Sequence, residues 1–446
     1  MLINNNTRCI PLLLLLLCFC QVNAKKIIYD DGIEDIVKLI TKENVTYIIR
    51  YHHDFERTIN IPHNCNLKFE GGSLKGNIVF NETKLSGDVN IKGSRISGKI
   101  TNKVFDASWL CYKDGVTDDA CYINDMIAVC GKIYFPKGKY RLISKFNAPK
   151  LPVNFENRYC DFHLGIYKSN VSIIGENGTE FISTEELGTL CILSQPNQIS
   201  NSVSNIRIEN IKFIGANDGR TFHEIYHLVN VMGVDGLVIK SCSFENYWGD
   251  AICLNHYGDD HLTGERTRNK NVKIIKNYIC GGDHYNNRNG ISVVNGMNVV
   301  IMDNTIMKTG RKDMPGGIDI EPVNSAFTIR NIKICNNVFR DIKGTAGAMG
   351  IVILRDNAPA HNIIITNNTV KNSKTGVSVV ILTNNSTDNF VIKNNYFDEN
   401  TRPYFFLGEG ESSDWQIIGN VFAKKCSQNI PGNIKVNHLI VKKNVF

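Results

Sequence analysis

The 446 residues contain little proline (11), three tryptophans and no run of eighteen apolar residues. Disorder, collagen and membrane-spanning helices are thereby excluded as the organising element. No CxxC pair and no His-rich spacing appear, so neither a disulfide scaffold nor a zinc site is expected and no metal-ligating residues are assigned. No block of like charge is present: 50 Lys+Arg against 43 Asp+Glu, a net +7, are scattered along the chain. That distribution argues against nucleic acid as a partner and supports only a weak preference for acidic ones.

What is present begins with an address label. Arg8, the apolar run Ile10 to Cys20 and the small-residue site Val22-Asn23-Ala24 read as a cleaved signal peptide over 1–24. Leu17 and Phe19 precede Cys18 and Cys20, where a lipoprotein would carry a small residue, so lipidation is the weaker reading and secretion or a periplasmic location the expectation. Removing three of the 14 cysteines leaves an odd 11. They read as isolated apolar core cysteines with at most one or two bridges.

Two repeats follow. NLKFEGGSLKG, NIVFNETKLSG and DVNIKGSRISG run from Asn66 and close on Gly76, Gly87 and Gly98. Their alternating apolar residues predict a small stacked β-roll within an accessory region spanning 25–105. Beyond it, the pattern N-x-x-I-x-x-N-x-F places its second Asn at 277, 304, 337, 368, 395, 420 and 444. Such spacing suits one solenoid coil per copy, and an Asn at the same corner of each coil predicts an asparagine ladder. Period-two, β-branched segments exclude a helical solenoid. The expected fold is all-β, a single-stranded right-handed parallel β-helix over 106–446.

Between the repeats, DGVTDDACYINDMIAVCGKIYFPKGKY predicts a helix capped by Thr117 or Asp118, ended by Gly131, and followed by a strand. DGVTDDA, a helix and YFPKGKY resemble the opening of the pectate-lyase-like β-helix superfamily, which includes polygalacturonases, rhamnogalacturonases and phage depolymerases. The resemblance implies that the helix caps the solenoid with Trp109 beneath it. It gives Asp114, Asp118 and Asp119 structural roles at the helix start. The polygalacturonase Asn-Thr-Asp, paired-Asp, Gly-His-Gly and Arg-Ile-Lys motifs are absent in that form. A loop GDDH at Gly258 matches the second only superficially.

Aligning DAICLN, GISVVN, GIDIEP, GIVILR and GVSVVI predicts two outward files. One is Ile252, Ser292, Asp319, Val352 and Ser378; the other is Leu254, Val294, Glu321, Leu354 and Val380. Asp319 and Glu321 are the only carboxylates there. Two residues apart on a strand, their α-carbons are about 6.6 Å apart, and splayed carboxyls would suit an inverting glycosidase pair. Apolar neighbours favour Glu321 as acid, leaving Asp319 as ionised base. Aromatic and basic groups near this strand, His256, Trp248, His284, Tyr285, Arg288, Arg311 and Arg355, are candidates for holding sugar rings and acidic substituents. Trp248 reads equally as a lid over the core.

The expected function is an exported carbohydrate-active enzyme that cleaves glycosidic bonds of a polysaccharide or oligosaccharide, hydrolysis preferred and without cofactor. A polysaccharide lyase, with Ca2+ at Asp319 and Glu321 and Arg288, Arg311 or Arg355 as base, is an alternative. A non-catalytic glycan-binding β-helix is another. Val445-Phe446 falls in mid-coil, so an open strand edge with a homo-oligomeric cover, such as a trimer, is expected.

Overall fold

The computed structural model describes residues 26–146, 161–194, 203–256, 268–322, 329–353, 360–381, 387–400, 402–408, 411–423, 426 and 435–445. The expected signal peptide, Arg355, Leu354 and the GDDH loop lie outside them. Almost every pairing between strands is parallel and joins a strand to its counterpart one coil on, giving sheets of 23, nine and six strands. The chain is a right-handed parallel β-helix. No helix among the described residues is long and apolar enough to cross a membrane.

The repeat dictates the core directly. Ile239, Ile274, Ile301, Ile334, Ile365, Ile392 and Ile417 stand in one register on successive coils, and all are buried. Phe181, Phe213 and Phe244 stack likewise, with centroids 5.7 and 5.1 Å apart. Each such side chain contributes about 1.5–3 kcal/mol by leaving water, and stacking like on like lets every coil bury the next.

The asparagine ladder runs unbroken. Asn304 Nδ2 and its amide both donate to Asn337 Oδ1 at 2.9 Å, and Asn337 does the same to Asn368. The chain of bonds continues through Asn395 and Asn420 to Asn444. These asparagines do not themselves take the left-handed backbone. Positive φ falls on the residue before each, including Lys276, Asp303, Asn336, Asn367 and Asn394. The ladder side chains are thereby free to turn inward and bond. Asn337→Ala should leave the Asn304 donors and the carbonyl of Ile301 unpartnered. About 1–3 kcal/mol per orphaned group is the expected loss, read by chemical denaturation.

In the accessory roll the coil length differs from the sequence period. Leu67 pairs with Leu85 and Ile78 with Ile96, 18 residues apart, and earlier coils of the roll take 19 to 21, as from Lys26 to Val45 and from His52 to Ser73. An eleven-residue loop cannot close around apolar side chains, and the echo in the sequence marks strands on different faces. Gly87 and Gly98 hold the bends at φ +77° and +86°, where an added Cβ would sit 2.1 Å from Phe69 O and 2.0 Å from Phe80 O. Gly98→Ala should cost at least the ~1–3 kcal/mol of a strained backbone position. Faster limited proteolysis of the roll would report it.

The helix spans Ala120–Val129, with Ile123 and Met126 fully buried. It is docked between roll and solenoid. Arg95 forks onto Asp125 at 2.7 and 2.8 Å, and Asn124 bonds the backbone of His163 and Gly165. Asp118 accepts the Ala120 amide. Asp119 turns away from the helix start: it is buried and accepts the amides of Tyr112 and Lys113, and burial pushes its pKa up to about 6. Asp114 closes its own turn onto Val116 and Thr117. Trp109 is half-buried against Phe105. The ten cysteines among the described residues are free, eight of them buried.

Candidate functional site

The nine-stranded sheet carries the candidate strand, Gly316–Ile320. Its register corrects both predicted files. Ser292 pairs with Asp319, but the neighbours in that rank are Cys253 and Gly350, not Ile252 and Val352. Ile252 and Leu254 pair with Ile291 and Val293 and belong to the inner rank. The shift on the Gly350 strand is two residues, which keeps the face but changes the neighbour. A glycine beside Asp319 leaves room for Ala346 to approach, since a Cβ at Gly350 would lie 2.6 Å from that of Ala346.

The first rank is not an open trough. Asn230, Cys253, Ser292, Asp319 and Ser378 are all sealed. Loop segments arriving at the strand starts cover them: Asn289 Nδ2 bonds Ser292 Oγ at 2.9 Å and Asp319 Oδ2 at 3.4 Å, and Ser378 donates to Ala346 O. The next rank opens outward: Val294 is 6% exposed, the Glu321 side chain 20% and Leu407 38%.

Arg288 organises the site. Its amide is pinned to the carbonyls of Trp248 and Gly249, which aims the guanidinium across the strand ends. Nη2 lies 3.2 Å from Glu321 Oε2 and 3.9 Å from Asp319 Oδ2, Nη1 3.6 Å from Asp250 Oδ2, and Nε 3.6 Å from Glu224 Oε1. Burial alone would favour losing its proton, but Asp250, Asp319 and Glu321 outweigh burial and hold it charged. Asp250 and Asn289 do matching work on adjacent coils. Asp250 Oδ1 accepts the Asn289 amide, and Asn289 Oδ1 accepts that of Gly316.

The two predicted carboxyls are in hydrogen-bond contact with each other, much closer than an inverting pair. Glu321 is raised, as expected, but Asp319 is raised as well instead of staying an ordinary ionised carboxylate. Burial and the neighbouring Glu321 push Asp319 well above the carboxylate range, and its Oδ1 meets no N–H or O–H donor. Burial and the adjacent carboxyl thus favour the protonated form of Asp319. Glu321 is raised by burial, with Arg288 and the Asp319 hydrogen bond working against that rise. The arrangement does not fit Ca2+, which takes about six to eight oxygen ligands: the pair offers two carboxyls, one of them sealed and bonded to Asn289.

The other predicted residues divide. Trp248 is buried, edge-on to His223 and Tyr226, and is a lid instead of a sugar platform. His284 is exposed, its Nδ1 accepting the Asn286 amide. Tyr285 lies under Lys343 Nζ at 3.6 Å. It lines an open groove of about 340 Å³ of mixed charge, with Lys312, Lys343 and Lys374 against Asp341 and Glu399. Arg311 is bound to Asp313 at 2.6 and 2.7 Å and stacked over Phe222, apart from the Arg288 cluster. His256 follows Ile252–Leu254, half-buried. Glu224, Asp250, His227 and Asn289 escaped the sequence reading. Asp250 and Asn289 had a signal, since each immediately precedes an aligned strand.

No family model matches the chain, and no curated protein does. Among solved structures it is similar to the surface protein and adhesin PfbA of Streptococcus pneumoniae, at 14% identity over 75% of this chain and 96% of that one, with TM-score 0.48. It is also similar to the family 28 exopolygalacturonase of Yersinia enterocolitica, at 13% identity over 77% and 76%, TM-score 0.47. A third is the A-module of the mannuronan C-5 epimerase AlgE4 of Azotobacter vinelandii, at 14% over 76% and 100%, TM-score 0.40. The likeness is one of fold.

Proposed function

We propose that this chain is an extracytoplasmic carbohydrate-active β-helix that hydrolyses glycosidic bonds, with Glu321 delivering the proton. The observation that carries the reading is the pairing of sealed Asp319 with partly exposed Glu321, both raised by burial and both beside Arg288, where the sealed rank opens to solvent. Asp319 stores the proton and Glu321, partly exposed, passes it to a leaving-group oxygen; Arg288 steadies the negative charge left behind. Glu224, whose side chain is 56% exposed, is the second carboxylate able to reach water. Because both touch one guanidinium, Glu224 and Glu321 lie no more than about 9 Å apart, within reach of an inverting pair. Elimination is disfavoured because Arg288 is held protonated by its carboxylates and Arg311 by Asp313.

The sealing of Asp319 favours one other reading, a glycan-binding β-helix in which the charge cluster is structural. Digesting a panel of acidic and neutral polysaccharides separates the two. New reducing ends without the ultraviolet absorbance of an unsaturated uronate are expected. Binding by calorimetry with no new ends across the panel would establish the second reading.

A further inference from the structure

The inner end of the charge cluster holds a different set of donors. His227 lies two residues before the strand Val229–Met232, while Asp250 lies two before and Cys253 within Ile252–Leu254, the next strand of the sheet. One ligand atom from each residue, an imidazole nitrogen, a carboxylate oxygen and a thiol sulfur, lies within 4.8 Å of the others. None of the three is more than 3% exposed. His227 Nδ1 and Asp250 Oδ2 are 3.3 Å apart. Two ligands held about 2.0–2.1 Å from a tetrahedral Zn2+ stand roughly 3.3–3.4 Å from each other, so the spacing is that of one edge of a metal's coordination shell.

A second observation is independent of the clustering. Asp250 Oδ2 is fully buried and accepts no hydrogen bond, a costly state for a carboxylate oxygen. Arg288 at 3.6 Å gives it charge but no hydrogen bond.

We propose that His227, Asp250 and Cys253 form a binding site for a borderline-soft divalent cation of the zinc type. A thiolate, an imidazole and a carboxylate select such an ion over Ca2+ or Mg2+, which take oxygen ligands. On binding, the Cys253 S–H proton leaves to solvent and a sulfur–metal bond forms, with no change of oxidation state. The Asp250 amide that donates to His227 Nδ1 at 2.9 Å yields that lone pair to the metal, which is the local bond given up. The site shares Asp250 with the Arg288 cluster but does not depend on any catalytic reading.

Cobalt(II) tests it with a spectroscopic signature of the sulfur ligand. Full-length protein, titrated folded and also refolded with Co2+ present, should bind one equivalent with a thiolate-to-cobalt charge-transfer band that Zn2+ abolishes. The near-isosteric Cys253→Ser, shown folded by circular dichroism, should lose the band, and Asp250→Asn should weaken Co2+ binding. Absence of the band in folded wild-type protein under both regimes, or an unchanged band in Cys253→Ser, overturns the site. Because the readout is metal binding and not turnover, its failure leaves the hydrolase reading untouched, and the reverse holds as well.

Discussion

Arg288→Met is expected to cost about 3–5 kcal/mol, the usual range when one partner of a buried ion pair is removed. A steep fall in the thermal midpoint would show it. The guanidinium side chain is 15% exposed, and the side chains of Asp250 and Asp319 are fully enclosed, so water cannot replace it. Methionine fills similar volume, which confines the loss to charge. The penalty should shrink as pH falls, because the stranded carboxylates can then take up protons. Arg288→Lys should recover only part of the stability, since one ammonium cannot meet carboxylates on both sides as a planar fork does. An Arg288→Met protein as stable as wild type at neutral pH would show that the cluster is not what holds these loops over the strands.

Glu321→Gln is expected to reduce hydrolysis by about 10²–10⁴-fold, the usual worth of a positioned general acid, with little loss of stability. The amide still accepts from Arg288 and from the Asp319 hydroxyl but has no proton to deliver to a leaving group. Asp319→Asn separates chemistry from folding through its sign. Asp319 is raised in the folded state from an ordinary 3.8. Above that pH the folded chain therefore holds more protons than the unfolded one, and stability falls as pH rises toward the folded pKa. The asparagine variant should lose that slope and be relatively more stable near neutrality, while activity drops. Unfolding midpoints across a pH series, compared with wild type, decide the point; identical slopes would mean that Asp319 is ionised.

The solenoid was legible because its information is one-dimensional. Ile274, Ile301 and Ile334 recur at the spacing of the coil, and a stacked side chain meets its own kind one coil away. The ladder from Asn277 to Asn444 follows from the same repetition. Residues of the site are legible only as members of a strand. Asp319 and Glu321 are visible as the two carboxylates on the outward side of Gly316–Ile320, and Arg288 as a basic residue two places before a strand. The register of the Gly350 strand misled because GIVILR and GAMGIV both alternate acceptably, and only pairing chooses between them. In the accessory roll, eleven-residue similarity hid an 18-residue coil for a related reason: similarity between strands does not say which strands stack.

Repetition therefore determines, from the sequence by itself, a parallel β-helix, its aliphatic and phenylalanine stacks and its asparagine corner. Each of these needs only a residue and its equivalent on the next coil. Tertiary structure alone decided that Glu224, Asp250, Asp319 and Glu321 converge on Arg288, that burial raises Asp319 together with Glu321, and that His227 faces Cys253. Those contacts join loops of differing length, where no period operates. Whether a carboxyl is ionised depends on how much water the surrounding chain leaves it, and local sequence does not encode that quantity.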